Sequence, residues 1–190
     1  MPVGNRGYEG KASVKLGSLN FNAKENKMTL KIGDKLPNGM LYEMSEDGPK
    51  PVPVADLVKG KRVVIFGLPG AFTPTCSALH VPGYVAQADQ IKAKGIDQIV
   101  CLSVNDAFVM GAWGKDQKVG DKVRMLGDGS AALTKAMGLE LDLIERGMGV
   151  RCERFSMLVD DGVVKKLNIE APGKFEVSDA GTMLQQLDKL

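Results

Sequence analysis

The spacing of apolar residues divides the chain into alternating strands and helices. Residues 62–68 are apolar without interruption at their centre, a pattern typical of a short strand that is buried on both faces of a sheet. Pro82 predicts a kink near the start of the helix that follows, and Gly95 predicts the end of that helix. The apolar positions that recur at helical spacing between these two limits are Val81, Tyr84, Val85, Ala88 and Ile91.

A second strand and helix follow in the same way. Residues 98–104 predict another buried strand, after which Asn105 and Asp106 can cap a helix. A short strand at 122–126 and a short helix at 131–137 come next. The apolar positions of the capped helix are Phe108, Val109, Ala112 and Trp113.

The last part of the chain reads as a hairpin and a helix. Residues 154–159 and 163–169 predict two strands, and the Asp-Asp-Gly sequence at 160–162 is a strong signal for the turn between them. A final helix opens at Ser178. A strand-helix-strand half followed by a strand-strand-helix half predicts an α/β fold in which helices flank a central mixed sheet, as a three-layer sandwich.

Composition narrows the class of protein. The 190 residues are 44% hydrophobic and carry a net charge of +2, which predicts one domain with an ample core and gives no reason to expect nucleic acid. No apolar run approaches the length of a membrane span. Residues 1–27 are polar and lack apolar periodicity, so we expect a flexible extension there and a single domain at 28–190.

Cysteine usage points to redox chemistry in a reducing compartment. The chain has three cysteines, no Cys-x-x-Cys pair, one histidine and no signal peptide, so we expect a cytoplasmic protein without a metal or other cofactor. An organellar address in residues 1–27 is weakly supported, since transit peptides are usually richer in arginine and free of acidic residues.

Cys76 is the first candidate for this chemistry. It follows the strand at 62–68 and a tight loop, on the predicted first turn of a helix, where unpaired N–H groups and a partial positive charge favour a thiolate. Pro69 and Pro74 stiffen the loop, and Thr73 is close enough to bond the sulfur or what it attacks. The alternative is that Cys76 is a small buried apolar residue.

These residues carry a family resemblance. The pattern Pro-x-x-x-Thr-x-x-Cys, filled by Pro69, Thr73 and Cys76, resembles the active-site signature of the peroxiredoxins, and its continuation to His80 resembles the type II, or peroxiredoxin 5-like, subfamily. The likeness covers about residues 30–190. Further matches occur in the order of the subfamily: Cys101-Leu-Ser-Val-Asn-Asp106, Ala112-Trp-Gly-Lys115, Gly138-Leu-Glu-Leu-Asp142 and Arg154-Phe-Ser-Met157.

The resemblance implies a thioredoxin-like fold and an antioxidant thiol peroxidase that reduces hydrogen peroxide and alkyl hydroperoxides. Cys76 would become a sulfenic acid, assisted by Pro69, Thr73 and Arg154, and would be recycled by thioredoxin or by glutaredoxin and glutathione. A homodimer is also implied, with Phe72 or Trp113 as contact residues.

Two other functions stay open at this point. One is a thioredoxin-type thiol–disulfide exchange protein, disfavoured because the usual Cys-x-x-Cys is Thr73-x-x-Cys76 here. The other is a peroxide sensor or interaction module of the same fold without efficient turnover.

Several single residues also have two interpretations. Arg154 matches the family arginine beside the thiol, but is otherwise a surface charge, with Arg151 a weaker substitute. Cys101 is either a resolving thiol, as in plant-like type II enzymes, or a buried apolar residue, and Cys152 has no assigned role. His80 is either the base of a Cys-His nucleophile pair or, as we favour, a hydrogen-bonded structural histidine.

Overall fold

A computed structural model describes residues 28–189, so the extension predicted at 1–27 lies outside the described residues. No helix within residues 28–189 is long and apolar enough to cross a membrane. The strands of this part of the chain are β1 (Met40–Ser45), β2 (Gly48–Pro53), β3 (Arg62–Gly67), β4 (Gln98–Ser103), β5 (Arg124–Gly127), β6 (Glu140–Leu143), β7 (Gly149–Cys152), β8 (Phe155–Asp160) and β9 (Val163–Ile169). Its α-helices are α1 (Val54–Val58), α2 (Val81–Ala93), α3 (Ala107–Asp116), α4 (Ala132–Ala136) and α5 (Ala180–Leu187).

Seven strands form one mixed sheet in the order β2-β1-β5-β4-β3-β8-β9. The central neighbours β3, β4 and β5 are parallel, whereas β1, β2, β8 and β9 join antiparallel to their neighbours. Parallel neighbours need a crossover, which the segments containing α2 and α3 provide. Strands β6 and β7 form a separate antiparallel hairpin.

Apolar side chains cover both faces of the sheet and form two cores. Successive side chains of a strand point to opposite faces, so Val63 and Ile65 join a core with α1 and α4. Val64 and Phe66 join the other core, with α2, α3 and α5. The predicted three-layer arrangement around a mixed sheet is therefore confirmed.

The strands predicted from 62 to 68, 98 to 104, 122 to 126, 154 to 159 and 163 to 169 agree with the structure within one or two residues at their ends, whereas β2, β6 and β7 are not predicted. The edge strand β2 contains Pro49, Pro51 and Pro53, which removes the usual strand signal but is tolerated where a strand has one free edge. The β6 and β7 hairpin consists of two four-residue strands that are mostly half-buried, so its pattern is weak.

Two predictions about helices were wrong in detail. Helix α3 leaves Phe108 60% exposed and Ala112 exposed, because, of the four apolar positions read from the sequence, only Trp113 is among the residues that it buries: Ala107, Met110, Trp113 and Gly114. The cap of α5 is Asp179, whose side chain accepts the Thr182 N–H at 3.0 Å. Ser178 is instead fully buried.

Candidate active site

The loop that follows β3 is held by the neighbouring strand β4 and the segment after it. Residues 68–73 form the loop, and its first N–H, from Leu68, donates to the carbonyl of Leu102 at 3.2 Å. The N–H of Ala71 donates to Oδ1 of Asn105 at 3.0 Å. Asn105 comes shortly after β4, so the loop lies at the carboxyl edge of the parallel strands, where α/β folds commonly place their sites.

Cys76 lies in the first turn of a helix that runs from residue 74 to residue 93, as expected. Five of its residues, Cys76–His80, are π-helical, and the N–H of Val81 donates to the carbonyl of Cys76. Pro82 has no N–H to return to the preceding turn, and its ring crowds the carbonyl there, which favours the wider turn. The irregularity predicted from Pro82 therefore takes the form of a π-helical turn next to Cys76.

A cation lies against the sulfur of Cys76. The cysteine is fully buried, and Nη2 of Arg154 donates to its Sγ at 3.4 Å. Arginine stays protonated in proteins, and a negatively charged sulfur is a stronger acceptor for it than a neutral thiol. Packing as a small apolar residue does not account for a charged donor against the sulfur.

Strand pairing brings Cys76 and Arg154 together although they are 78 positions apart in the sequence. Arg154 directly precedes β8, which pairs antiparallel with β3 so that Phe155 lies opposite Gly67. A Cβ atom at position 67 would lie 2.1 Å from the Phe155 ring, so glycine is needed there for the ring to occupy its place. Arg154 thus reaches the end of β3, from which the Cys76 loop departs.

His80 is fully buried, and both of its ring nitrogens have partners. Nη1 of Arg154 lies 3.0 Å from Nδ1, and the carbonyl oxygen of Ser178 lies 3.1 Å from Nε2. A guanidinium can only donate and a carbonyl can only accept, so Nδ1 is the acceptor and the Nε2–H donates. His80 therefore orients Arg154 toward the sulfur.

The ring of His80 is also held in its neutral form. Burial, and then the positive charge of Arg154, lower the pKa of His80 from 6.5 to about 3, although Glu170 and Asp179 act in the opposite direction. The prediction of a hydrogen-bonded histidine is confirmed. A Cys-His nucleophile pair does not fit, because the lone pair that such a base would use accepts from Arg154.

Aromatic rings pack against the side chains of Arg154 and His80. The guanidinium carbon of Arg154 lies 5.6 Å from the centroid of the Phe175 ring, within the range of a cation–π contact. The same ring is 4.9 Å from that of His80, and Phe66 is also 4.9 Å from His80. These rings limit the space in which Arg154 and His80 can move.

Thr73 and Pro69 lie in the loop before Cys76, as the sequence predicts. The hydroxyl of Thr73 donates to the carbonyl of Gly70 at 2.9 Å, so its single proton is not directed at the sulfur. The carbonyl of Pro69 accepts from Nη1 of Arg151 at 3.3 Å. Arg151, considered in the sequence only as a substitute for Arg154, thus supports the loop from the β7 side.

The other two cysteines lie on opposite faces of the sheet. Cys101, in β4, belongs to the same core as Cys76, whereas Cys152, at the end of β7, belongs to the other core. All three cysteines are buried, and none forms a disulfide. Burial, and then the neighbouring sulfurs of Cys76 and Cys152, raise the pKa of Cys101 well above 9.0, so Cys101 is a protonated thiol at neutral pH.

Comparisons with known proteins agree with this fold and site. The Redoxin family model matches residues 31–184. Peroxiredoxin-2C from Oryza sativa subsp. japonica is 51% identical over 157 residues, which are 82% of this chain and 97% of that protein. Peroxiredoxin-2E, chloroplastic, from Arabidopsis thaliana is 49% identical over 163 residues, which are 84% of this chain and 70% of that protein. The structure of reduced Prx3 from Vibrio vulnificus in complex with H2O2 has a TM-score of 0.81 and 51% identity, covering 84% of this chain and 99% of that one.

The chain belongs to the redoxin family and, within it, to the type II, peroxiredoxin 5-like peroxiredoxins. It is a thiol-dependent peroxidase, an antioxidant oxidoreductase that acts on peroxide and is reduced by a thiol. The thiol-dependent peroxidase activity and the thioredoxin-like fold that the resemblance implies are thereby confirmed, in preference to a thiol–disulfide exchange protein or a non-catalytic sensor.

The neutral state of His80 predicts a particular dependence of stability on pH. The unfolded chain binds a proton at His80 near pH 6.5, whereas the folded chain does not bind it until about pH 3. Unfolding therefore takes up a proton between these values, and stability falls as pH is lowered through 6.5. Between pH 7 and pH 5 we expect His80 to remove about 2 kcal/mol from the free energy of unfolding.

Denaturant unfolding of the parent protein and of His80→Gln at both pH values measures this effect. The variant should lose less stability on acidification than the parent. Glu170, whose pKa lies below its usual 4.5, contributes mainly below this pH window. Equal losses in the two proteins would contradict the neutral assignment of His80.

Proposed function

We propose that Cys76 is the peroxidatic nucleophile and that Arg154 stabilises the transferring oxygen. The observation that carries the proposal is the 3.4 Å contact between Nη2 of Arg154 and Sγ of Cys76, in a site from which bulk water is largely excluded. Charge-assisted hydrogen bonds gain strength where water is excluded. The same donor can therefore hold a negative charge on sulfur before reaction and on peroxide oxygen during it.

The reaction balances as a two-electron transfer. The thiolate of Cys76 attacks the terminal oxygen of a hydroperoxide, an S–O bond forms, and the O–O bond breaks. The leaving oxygen takes a proton and departs as water or an alcohol, so the peroxide is reduced while Cys76 is oxidised to a sulfenic acid. Thr73 and Pro69 define the loop wall against which the peroxide would lie.

Hydrogen peroxide and alkyl hydroperoxides are the proposed substrates. The Vibrio vulnificus relative was crystallised with hydrogen peroxide, and that printed ligand supports the same substrate class for this chain. The buried sulfur favours a small reacting group. Thioredoxin, or glutaredoxin with glutathione, is the proposed electron donor.

Replacing the nucleophile tests this assignment directly. In Cys76→Ser, the second-order rate of hydrogen peroxide consumption by the reduced protein should fall by about a thousandfold or more, because the hydroxyl is a poor nucleophile. Cys152→Ser is the matched control, since it removes a buried thiol from the other core, and it should retain the parental rate. Loss of activity in Cys152→Ser, together with the parental rate in Cys76→Ser, would contradict the assignment of Cys76 as the nucleophile.

We further propose that Cys101 resolves the sulfenic acid. Cys101 lies in the same core as Cys76, which supports its choice over Cys152. Both partners are fully buried, and a protonated thiol attacks poorly, so the first helical turn after Thr75 must open for a disulfide to form. The Cys101 thiol then attacks the sulfenic sulfur, water leaves, and an external dithiol reduces the resulting disulfide.

Peptide mapping after one equivalent of hydrogen peroxide tests the resolving step. We expect a disulfide between Cys76 and Cys101 in the parent protein and none in Cys101→Ser. The competing route is direct attack of glutathione or another external thiol on the sulfenic acid, with Cys101 buried throughout. Turnover of Cys101→Ser with glutaredoxin at the parental rate would establish that route and reject resolution by Cys101.

A homodimer is proposed on the side of the active-site loop. Three apolar side chains there are largely exposed in the single chain: Phe72 at 57%, Leu79 at 55% and Phe108 at 60%. Trp113, the other contact residue expected from the sequence, is fully buried and only supports Phe72 from behind, at 6.3 Å between ring centroids. Sedimentation of the reduced protein at micromolar concentration should give the mass of two chains, and a monomer would remove the proposal.

Cellular location belongs with these proposals. We propose a cytoplasmic protein in which residues 1–27 extend a single domain at 28–190. Two relatives with chloroplastic in their names support an organellar address as the alternative. Fusion of residues 1–27 to a fluorescent reporter, followed by imaging, distinguishes the two, since import of the reporter into an organelle would contradict the cytoplasmic assignment.

A further inference from the structure

One buried carboxylate outside the catalytic residues collects an unusual number of hydrogen bonds. Glu170 follows the end of β9 and is only 8% exposed. Its Oε1 accepts the backbone N–H groups of Glu176, Val177 and Ser178 and the hydroxyl of Ser178, each at 2.8 Å. The four donors come from one short segment, so a single oxygen atom fixes the backbone of residues 176–178.

The segment fixed by Glu170 supplies the partner of His80. The carbonyl of Ser178 accepts the Nε2–H of His80 at 3.1 Å and the hydroxyl of Tyr84 at 3.0 Å. Burial raises the pKa of Tyr84, so its hydroxyl keeps its proton and remains a donor. The Ser178 carbonyl and Nη1 of Arg154 together therefore fix the proton of His80 on Nε2.

A second, shorter connection runs through the backbone. The N–H of Glu170 donates to the carbonyl of Arg154 at 2.9 Å, so the two residues lie side by side where β9 and β8 meet the active site. The side chain of Glu170 thus holds the Ser178 segment to the same strand pair that carries Arg154. Movement of that segment would change the distance between the Ser178 carbonyl and the ring of His80.

We propose that Glu170 is a positioning residue for the peroxidase reaction, acting on Arg154 through Ser178 and His80. The inference deepens the proposed function and rests on the role assigned there to Arg154 and Cys76. Glu170 fixes the Ser178 carbonyl, the carbonyl keeps the proton on Nε2 of His80, and the free Nδ1 lone pair holds Nη1 of Arg154. Nη2 of the same planar guanidinium is then directed at Sγ of Cys76.

The chemistry of Glu170 suits an acceptor that is fixed in the ionised form. Burial raises the pKa of Glu170, but the N–H groups of Val177 and Ser178, the Ser178 hydroxyl and the N–H of Glu176 outweigh it, and the net pKa lies below its usual 4.5. The carboxylate is therefore ionised at neutral pH. Since the donors all converge on Oε1, an amide oxygen at the same place can replace much of this function.

Three substitutions separate positioning from simple structural support. Glu170→Ala removes the acceptor, Glu170→Gln keeps an acceptor oxygen, and Ser178→Ala removes only the hydroxyl donor while leaving the carbonyl in the backbone. The matched control is Glu176→Ala, because Glu176 lies in the same segment but its side chain is exposed and forms an ion pair with exposed Lys174. Its backbone N–H to Glu170 is retained in that variant.

Two readouts are measured on each protein. The first is the second-order rate of Cys76 oxidation by hydrogen peroxide, followed by the fluorescence of the single tryptophan, Trp113, whose Nε1–H donates to Ser77 in the turn that carries Cys76. The second is the imidazole spectrum of the single histidine in protein labelled with 15N-histidine. This spectrum reports the tautomer and titration of His80 and does not depend on peroxidase activity.

We expect Glu170→Ala to lower the oxidation rate by about tenfold or more, because a buried hydrogen-bonding network loses its acceptor. Its His80 spectrum should lose the pure Nε2–H tautomer, because the Ser178 carbonyl is no longer held against the ring. Glu170→Gln should bring the oxidation rate to within about threefold of the parent and restore the parental His80 spectrum. Ser178→Ala should change both readouts less than Glu170→Ala does. Glu176→Ala should leave both readouts unchanged.

The proposal is overturned if Glu170→Ala lowers thermal stability while its oxidation rate and His80 spectrum match those of the parent. If Glu170→Ala does not fold, parental values of both readouts in Ser178→Ala would overturn it equally, because loss of the hydroxyl donor to Oε1 should change them. Failure of the proposed function would show differently, as peroxidase activity that survives in Cys76→Ser, and the His80 spectra would still report whether Glu170 controls the histidine.

Discussion

The active site depends on one planar guanidinium that is shared between a sulfur atom and a neutral imidazole. Arg154 donates from Nη2 to Cys76 and from Nη1 to His80, so its orientation is fixed at two points. A lysine could offer charge but not this pair of parallel donors. The low pKa of His80 follows from burial beside the same cation, which keeps Nδ1 available as an acceptor. In the proposed mechanism the cation is therefore already aligned before the peroxide arrives, and little reorganisation is needed during reaction.

The fold supplies this arrangement by bringing together three separate parts of the chain. Cys76 and His80 lie on one helix, Arg154 directly precedes β8, and Glu170 and Ser178 lie in the segment between β9 and α5. Antiparallel pairing of β8 with β3 and with β9 places these parts at one end of the sheet. The loop before Cys76 is held independently, by Asn105 after β4 and by Arg151 from β7.

Local patterns in the sequence predict the elements, and the place of Cys76 among them, better than the contacts between elements. Hydrophobic periodicity indicates β3, β4, β8 and β9, and the strand-loop-helix position of Cys76 indicates a reactive thiol. Arg151 supports the loop through a backbone carbonyl 82 residues earlier in the chain, and Glu170 accepts from backbone N–H groups six to eight residues later. Such backbone groups leave no signature in the sequence. The π-helical turn likewise follows from Pro82 only once the helix is known to continue through it.

Measurement of the Cys76 oxidation rate in Arg154→Gln and Arg154→Lys tests the central claim most directly, with the exposed Arg146→Gln as control. The account predicts that the glutamine variant slows by about a hundredfold or more, as for loss of one preorganised donor at a site of developing charge. It also predicts that the lysine variant lies nearer to the glutamine variant than to the parent, because lysine restores charge without the fork. Parental rates in the glutamine variant would contradict the role of Arg154, and parental rates in the lysine variant would contradict the requirement for a guanidinium held by His80.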